Sequence, residues 1–177
     1  MELTVKQLNT ERFGELNGLF DMSPYLDYAQ KRLENLTSGR ELCLIAELEG
    51  KLTGEINIMF ENENVPEAVI PNRRAYIFAL RVKEWARGVG IGKILVAEAV
   101  DACVSRGYSE QTVGVEPNNK PALRIYESAG FKPFIGNMRE KSPDGGEYAF
   151  DLLLRTGFRA RQPAPEVSPP VNPPSSF

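Results

Sequence analysis

At 177 residues and 42% hydrophobic, the chain is long enough for one substantial core and too short for two ordinary domains. It contains no histidine, which removes the commonest metal ligand and the commonest general base, so neither a metal site nor a His-dependent triad is expected. The formal charge of -3, with basic and acidic residues spread along the chain, leaves no electrostatic footprint for nucleic acid and mildly favours a cationic substrate.

No apolar run approaches the roughly 20 residues of a membrane span. The start, from Met1 to Lys6, has neither the basic opening nor the apolar stretch of a signal peptide, so no membrane partner and a cytoplasmic location are expected. Cys43 and Cys103 lie far apart, in an apolar strand and an apolar helix, and read as buried free thiols.

Leu3–Leu8 alternates like a first strand, and a short helix is expected around Glu11–Phe20. Ser23-Pro24 then offers an N-cap and a first-turn proline for a helix with Tyr25, Ala29, Leu33 and Leu36 on one side. Glu41–Leu48 and Leu52–Phe60 are strands joined by a tight turn at Glu49-Gly50-Lys51. A polar loop follows from Glu61 to Arg74, in which Glu61, Glu63 and Glu67 can line a cation-attracting rim and Arg73-Arg74 reads as a solvated pair.

Ala75–Val82 is an apolar strand, and Gly90–Arg106 is an amphipathic helix with Ile91, Leu95, Ala99, Ala102 and Cys103 on its inward face. Gln111–Val115 is a strand. Asn119 caps a helix carrying Ala122, Ile125, Tyr126 and Ala129 inward, and Gly130 ends it. Phe131–Ile135 and Tyr148–Arg155 are the last strands, joined by the turn-rich Ser142–Gly146. This places one domain at 1–158, followed over 159–177 by a proline-rich, extended or disordered tail in which Pro170-Val-Asn-Pro173 has the PxxP form.

The segment from Ala75 to Lys93 carries the most chemistry: a strand, the turn Arg87-Gly88-Val89-Gly90-Ile91-Gly92-Lys93, and a helix. Three glycines at alternate positions let backbone N–H groups approach a ligand, and the helix start adds unpaired N–H groups and the positive dipole end. A phosphate or pyrophosphate suits such a site. A P-loop is excluded because three residues, not four, separate Gly88 from Gly92-Lys93, and Ile94 stands where Ser or Thr is required. A dinucleotide-binding turn is excluded because Lys93 stands at its third glycine.

Arg87, Gly90 and Gly92 in the form Arg-x-x-Gly-x-Gly resemble the coenzyme A pyrophosphate loop of the GNAT superfamily of acyl-CoA-dependent N-acyltransferases. A second motif follows in Val115, Asn119, Ala122, Tyr126, Gly130 and Phe131, which resembles the family pattern Val-x3-Asn-x2-Ala-x3-Tyr-x3-Gly-Phe. The specific match spans residues 75–135, and the flanking pattern is compatible with the same fold from Met1 to Phe158.

The resemblance implies a single α/β (α+β) domain with a mixed, mostly antiparallel sheet of about seven strands and about four helices. Its strands at 75–82 and 111–115 would splay apart in a V. In the gap, the backbone of Leu80 and Val82 would bind the pantetheine arm and provide an oxyanion hole, while the amides of Arg87, Gly88, Val89, Gly90, Ile91, Gly92 and Lys93 would hold the pyrophosphate. Asn119 would touch the cofactor as well as cap its helix. Tyr126, whose phenol has a reference pKa of about 10, would protonate the departing CoA thiolate.

The resemblance also implies acetyl-CoA as donor, no metal, and direct transfer to a primary amine of a small molecule or of a peptide or protein. A non-catalytic acyl-CoA sensor or scaffold of the same fold is the alternative. Some members carry a glutamate in the strand before the glycine loop, but 74–81 has none; others carry one five residues before the motif asparagine, where this chain has Gly114. Glu116, which shares the strand parity of Gly114, and Glu55, on a neighbouring strand, are the candidate bases. Trp85 is expected to anchor the turn by burial, with substrate stacking as its other reading, and a homodimer through the sheet edge or last strands is possible.

Overall fold

The computed structural model describes residues 2–157. Phe158 and the proline-rich stretch, including Pro170-Val-Asn-Pro173, lie outside the described residues. In chain order the elements are β1 (Leu3–Gln7), a 3-10 segment (Thr10–Gly18), α1 (Leu26–Ser38), β2 (Glu41–Leu48), β3 (Lys51–Met59), β4 (Arg74–Val82), α2 (Ile91–Ser105), β5 (Glu110–Val115), α3 (Lys120–Ser128), β6 (Lys132–Lys141) and β7 (Glu147–Thr156). The strands form one seven-stranded sheet in the order β1-β2-β3-β4-β5-β7-β6. Every neighbouring pair is antiparallel except β4 and β5, and that parallel pair needs the α2 crossover between its strands.

Strand alternation divides the core between the two faces. On one face Leu42, Leu44, Ile56, Ile58, Ile77 and Val113 pack against Ile91, Leu95, Ala99 and Cys103 of α2. On the other, Cys43 and Ile45 pack with Leu8, Leu16 and Met22 beneath α1 and the 3-10 segment. Both cysteines are free and buried. The β2–β3 connection is a two-residue turn, with Glu49 and Gly50 both at positive φ (50° and 73°), the geometry that matches strand twist.

The expected splay is present, and its origin lies in β4. Parallel pairing runs only from Arg74↔Glu110 to Ile77↔Val113, although β4 continues to Val82. Opposite β3, the register slips between Glu55 and Asn57, where β4 holds an extra residue. Ala79 takes the strain of that bulge at φ +52°, a left-handed conformation that costs an L-residue about 1 kcal/mol. Gly54 makes room for it: a β-carbon there would stand 2.9 Å from the Arg81 carbonyl oxygen.

Three expectations are corrected. Helix α1 starts at Leu26 without a side-chain cap, because the Ser23 N–H and Oγ both turn back to Asp21 Oδ1 (3.0 and 2.6 Å). Its inward face carries Arg32, only 3% exposed, while Leu33 points to solvent; Arg32 finds Glu41 and Glu55 on the sheet, which a purely apolar periodicity does not register. Arg74 is buried rather than solvated, donating to Glu110 Oε2 (2.6 Å) and the Glu67 carbonyl (2.8 Å).

Candidate active site

The end of β4 leads directly into the glycine turn. The Lys83 N–H donates to the Thr53 carbonyl (2.8 Å), which closes the ladder with β3. By strand alternation the amide groups of Val82 face the other way, into the splay. Short turns then form as the Ala86 N–H donates to the Lys83 carbonyl (2.9 Å) and the Arg87 N–H to the Glu84 carbonyl (3.1 Å). Arg87 folds back so that its Nε donates to the Val82 carbonyl at 3.0 Å, clamping the turn to the strand. The Val82 carbonyl, expected to face pantetheine, is therefore already engaged by Arg87.

Gly88 and Gly90 sit at φ +83° and +92°, and the first bond of α2 is Ile94 N–H to the Gly90 carbonyl (3.1 Å). Among the described residues, no backbone amide from Gly88 through Lys93 has a protein partner. Two left-handed glycines followed by a helix start make a concave row of donors suited to a di-anionic group. Gly92 contributes through packing instead. A β-carbon there would stand 3.1 Å from Ile125 Cδ1, so its absence lets α3 lie close to α2.

These amides border a cleft of about 980 Å³ that also includes Lys83, Trp85, Arg87, Lys93 and Pro121. A smaller cavity of about 180 Å³ lies between β4, β5, α3 and β7, walled by Tyr76, Gly114, Glu116, Tyr126, Tyr148 and Phe150. Leu80, Asn119 and Ala122 line both, so the two spaces meet at the splay. Asn119 caps α3, its Oδ1 accepting the Ala122 N–H at 3.3 Å.

Tyr126, 4% exposed, packs edge-on against Phe131, and its hydroxyl has no hydrogen-bond partner among the described residues. Burial alone pushes its phenol above the ordinary value, so it is a proton donor throughout the neutral range. Tyr148 donates to Glu140 Oε2 across the β6–β7 hairpin (2.8 Å), and burial, that bond and the nearby carboxylates raise its phenol as well. Tyr76, raised by burial, fills the space beside Gly114.

Of the two candidate bases, Glu116 is on the wall of the inner cavity and Glu55 is in neither space. Glu55 is 0% exposed on the α1 side, accepting from Arg81 Nη1 (2.8 Å), Asn57 Nδ2 (3.0 Å) and Arg32 Nη2 (3.4 Å). Strand parity turns it away from the splay. Trp85 is 62% exposed, so it does not anchor the turn by burial; Ala86 does that. Sequence reasoning missed Tyr76, Tyr148 and Glu140: Tyr76 meets Gly114 only once β4 lies beside β5, and Tyr148 meets Glu140 through the register of the β6–β7 hairpin. Among the described residues, no cluster of metal-binding side chains occurs and no helix is long and apolar enough to cross a membrane.

A seven-stranded sheet split between its parallel strands, with an amide-lined turn opening α2, is the arrangement that the family resemblance of the two motifs implies. The sequence profile of the Acetyltransferase (GNAT) family matches residues 5–131, and the chain belongs to that family. It is 30% identical to N-alpha-acetyltransferase 30 of Saccharomyces cerevisiae over 169 residues, covering 87% of this chain and 89% of that protein. It is 31% identical to a mycothiol acetyltransferase of Thermomonospora curvata over 75 residues, 42% of this chain but only 25% of that protein's length. The fold matches the paia N-acetyltransferase of Thermoplasma acidophilum in complex with coenzyme A, with a TM-score of 0.63 and 18% identity, covering 89% of this chain and 100% of that one.

Proposed function

We propose that this protein transfers an acetyl group from acetyl-CoA to the α-amine of a peptide or protein N-terminus. The observation that carries this reading is the meeting of the two spaces: the unpartnered amides of Gly88–Lys93 border one, and the Tyr126 side chain walls the other. The first suits a pyrophosphate, flanked by Arg87, Lys83 and Lys93. Acetyl-CoA supplies the activated acyl group.

In the proposed reaction, the amine nitrogen forms the new C–N bond at the thioester carbonyl and the C–S bond breaks. Tyr126 passes its phenolic proton to the departing sulfur. A backbone N–H in the Leu80–Val82 stretch, facing the splay, stabilises charge on the carbonyl oxygen. Glu116 removes the amine proton, directly or through water.

Two points favour an α-amine. With no histidine and, among the described residues, a single carboxylate on the inner cavity wall, the site is poorly equipped to deprotonate an alkylamine of pKa about 10.4, a handicap of roughly 4–5 kcal/mol at pH 7 against about 1 for an α-amine near 8. The relative matched over most of both lengths is also an N-alpha-acetyltransferase by name. The test is incubation of a lysine-containing peptide with acetyl-CoA, followed by fragmentation mass spectrometry. Acetyl on the α-nitrogen supports the reading, and acetyl on the lysine ε-nitrogen alone contradicts it.

A further inference from the structure

We propose that Trp85 is the platform on which the adenine ring of coenzyme A stacks. This rests on the reading that the Gly88–Lys93 amides hold the pyrophosphate. Trp85 is the chain's single tryptophan, and at 62% exposed it offers the largest exposed ring among the described residues. The turn that carries it, Glu84–Ala86, is anchored by the buried Ala86, which leaves the indole facing outward without an aromatic or hydrogen-bond partner among the described residues.

Its position in the cleft points to the ligand. The residues common to both spaces, Leu80, Asn119 and Ala122, mark the inner end where the thioester must lie. Trp85 lines only the outer cleft, as do the pyrophosphate amides and the cations Arg81, Lys83, Arg87 and Lys93, with Glu84 the one acidic lining residue among the described residues. A coenzyme laid with its sulfur inward and its pyrophosphate on the amides must carry its adenosine into the outer cleft. An exposed indole there offers a π-face to the base, an interaction typical of aromatic–nucleobase contacts.

The intact chain, with its lone tryptophan, reports the contact directly. Coenzyme A should quench Trp85 fluorescence, whereas 4′-phosphopantetheine, which lacks the adenosine, should bind without quenching it. Calorimetry should find that Trp85→Ala weakens coenzyme A roughly 10-fold. Phosphopantetheine affinity should not change, and Trp85→Phe should restore most of the loss. Equal affinity of coenzyme A for wild type and Trp85→Ala, or equal weakening of both ligands, would overturn the proposal. Failure of the wild type to bind coenzyme A at all would overturn the amide-cradle reading on which it rests, and the stacking with it.

Discussion

The hydroxyl of Tyr76 occupies space that any side chain at Gly114 would need: a β-carbon built there stands 2.9 Å from Tyr76 Oη and 2.8 Å from Phe150 Cδ2. Position 114 is thus closed by an aromatic from β4 and another from β7. Gly114→Ala should therefore destabilise the fold by about 1–3 kcal/mol, the usual cost of overpacking. Urea unfolding checks this through a lower midpoint at unchanged slope. A midpoint equal to that of the wild type would mean the two rings yield freely.

Tyr126→Phe keeps the ring that packs on Phe131 and removes only the oxygen. It should lower kcat by about 100-fold or more while leaving the coenzyme A dissociation constant unchanged. Because burial raises the phenol, the wild-type rate should show no fall attributable to Tyr126 below about pH 10. Steady-state kinetics with parallel calorimetry separates this from a packing defect, which would weaken both.

The buried ion network beneath α1 should make stability depend on pH. Glu41 accepts from Arg32 Nε (3.2 Å), but burial outweighs that cation and raises its carboxyl from 4.5 to about 7. The folded state therefore holds a proton that the unfolded chain has released between those values. Stability from this group is complete below pH 4.5 and is lost as pH rises through about 7, by on the order of 3 kcal/mol. Glu41→Gln should flatten that slope in denaturation measured from pH 5 to 8. A stability that rises over the same window in the wild type, and equally in the variant, would remove Glu41 as the source.

Arg87 is expected to serve both the loop and the ligand. Arg87→Ala removes the bond to the Val82 carbonyl and a cation of the cleft, and should weaken coenzyme A roughly 10- to 100-fold. Arg87→Lys restores the charge but not the planar donor set, so calorimetry should find only partial recovery.

Much of the fold was legible because its signals are local. Alternation marked β1, two strand-like runs about a tight turn marked β2 and β3, an apolar run marked β4, the glycine spacing marked the turn into α2, and Asn119 marked the start of α3. The V between β4 and β5 followed from the resemblance; its cause, the bulge at Ala79, has no distinct sequence signal because alanine rarely takes a left-handed conformation. The length of β6 was underestimated, since an exposed edge strand needs little apolar alternation. Within the site, the glycine loop and Tyr126 were readable as motifs. The placement of Glu55 was not, because its partners come from α1, β2, β3 and β4 and parity alone sets its face. Tyr76 beside Gly114 likewise exists only once β4 and β5 lie side by side.

Acetyl transfer to an α-amine is measured most simply as acetyl-CoA-dependent release of coenzyme A thiol. Burial pushes Cys103 up to about 12 and raises Cys43 further, so a thiol reagent should read the released coenzyme with little background from native protein. The acceptors to compare are a peptide with a free N-terminus, the same peptide with that terminus blocked but its lysines free, and polyamines. Turnover is predicted with the first alone, abolished nearly completely by Tyr126→Phe. Turnover with the blocked peptide or the polyamines, and none with the free N-terminus, would contradict α-amine transfer.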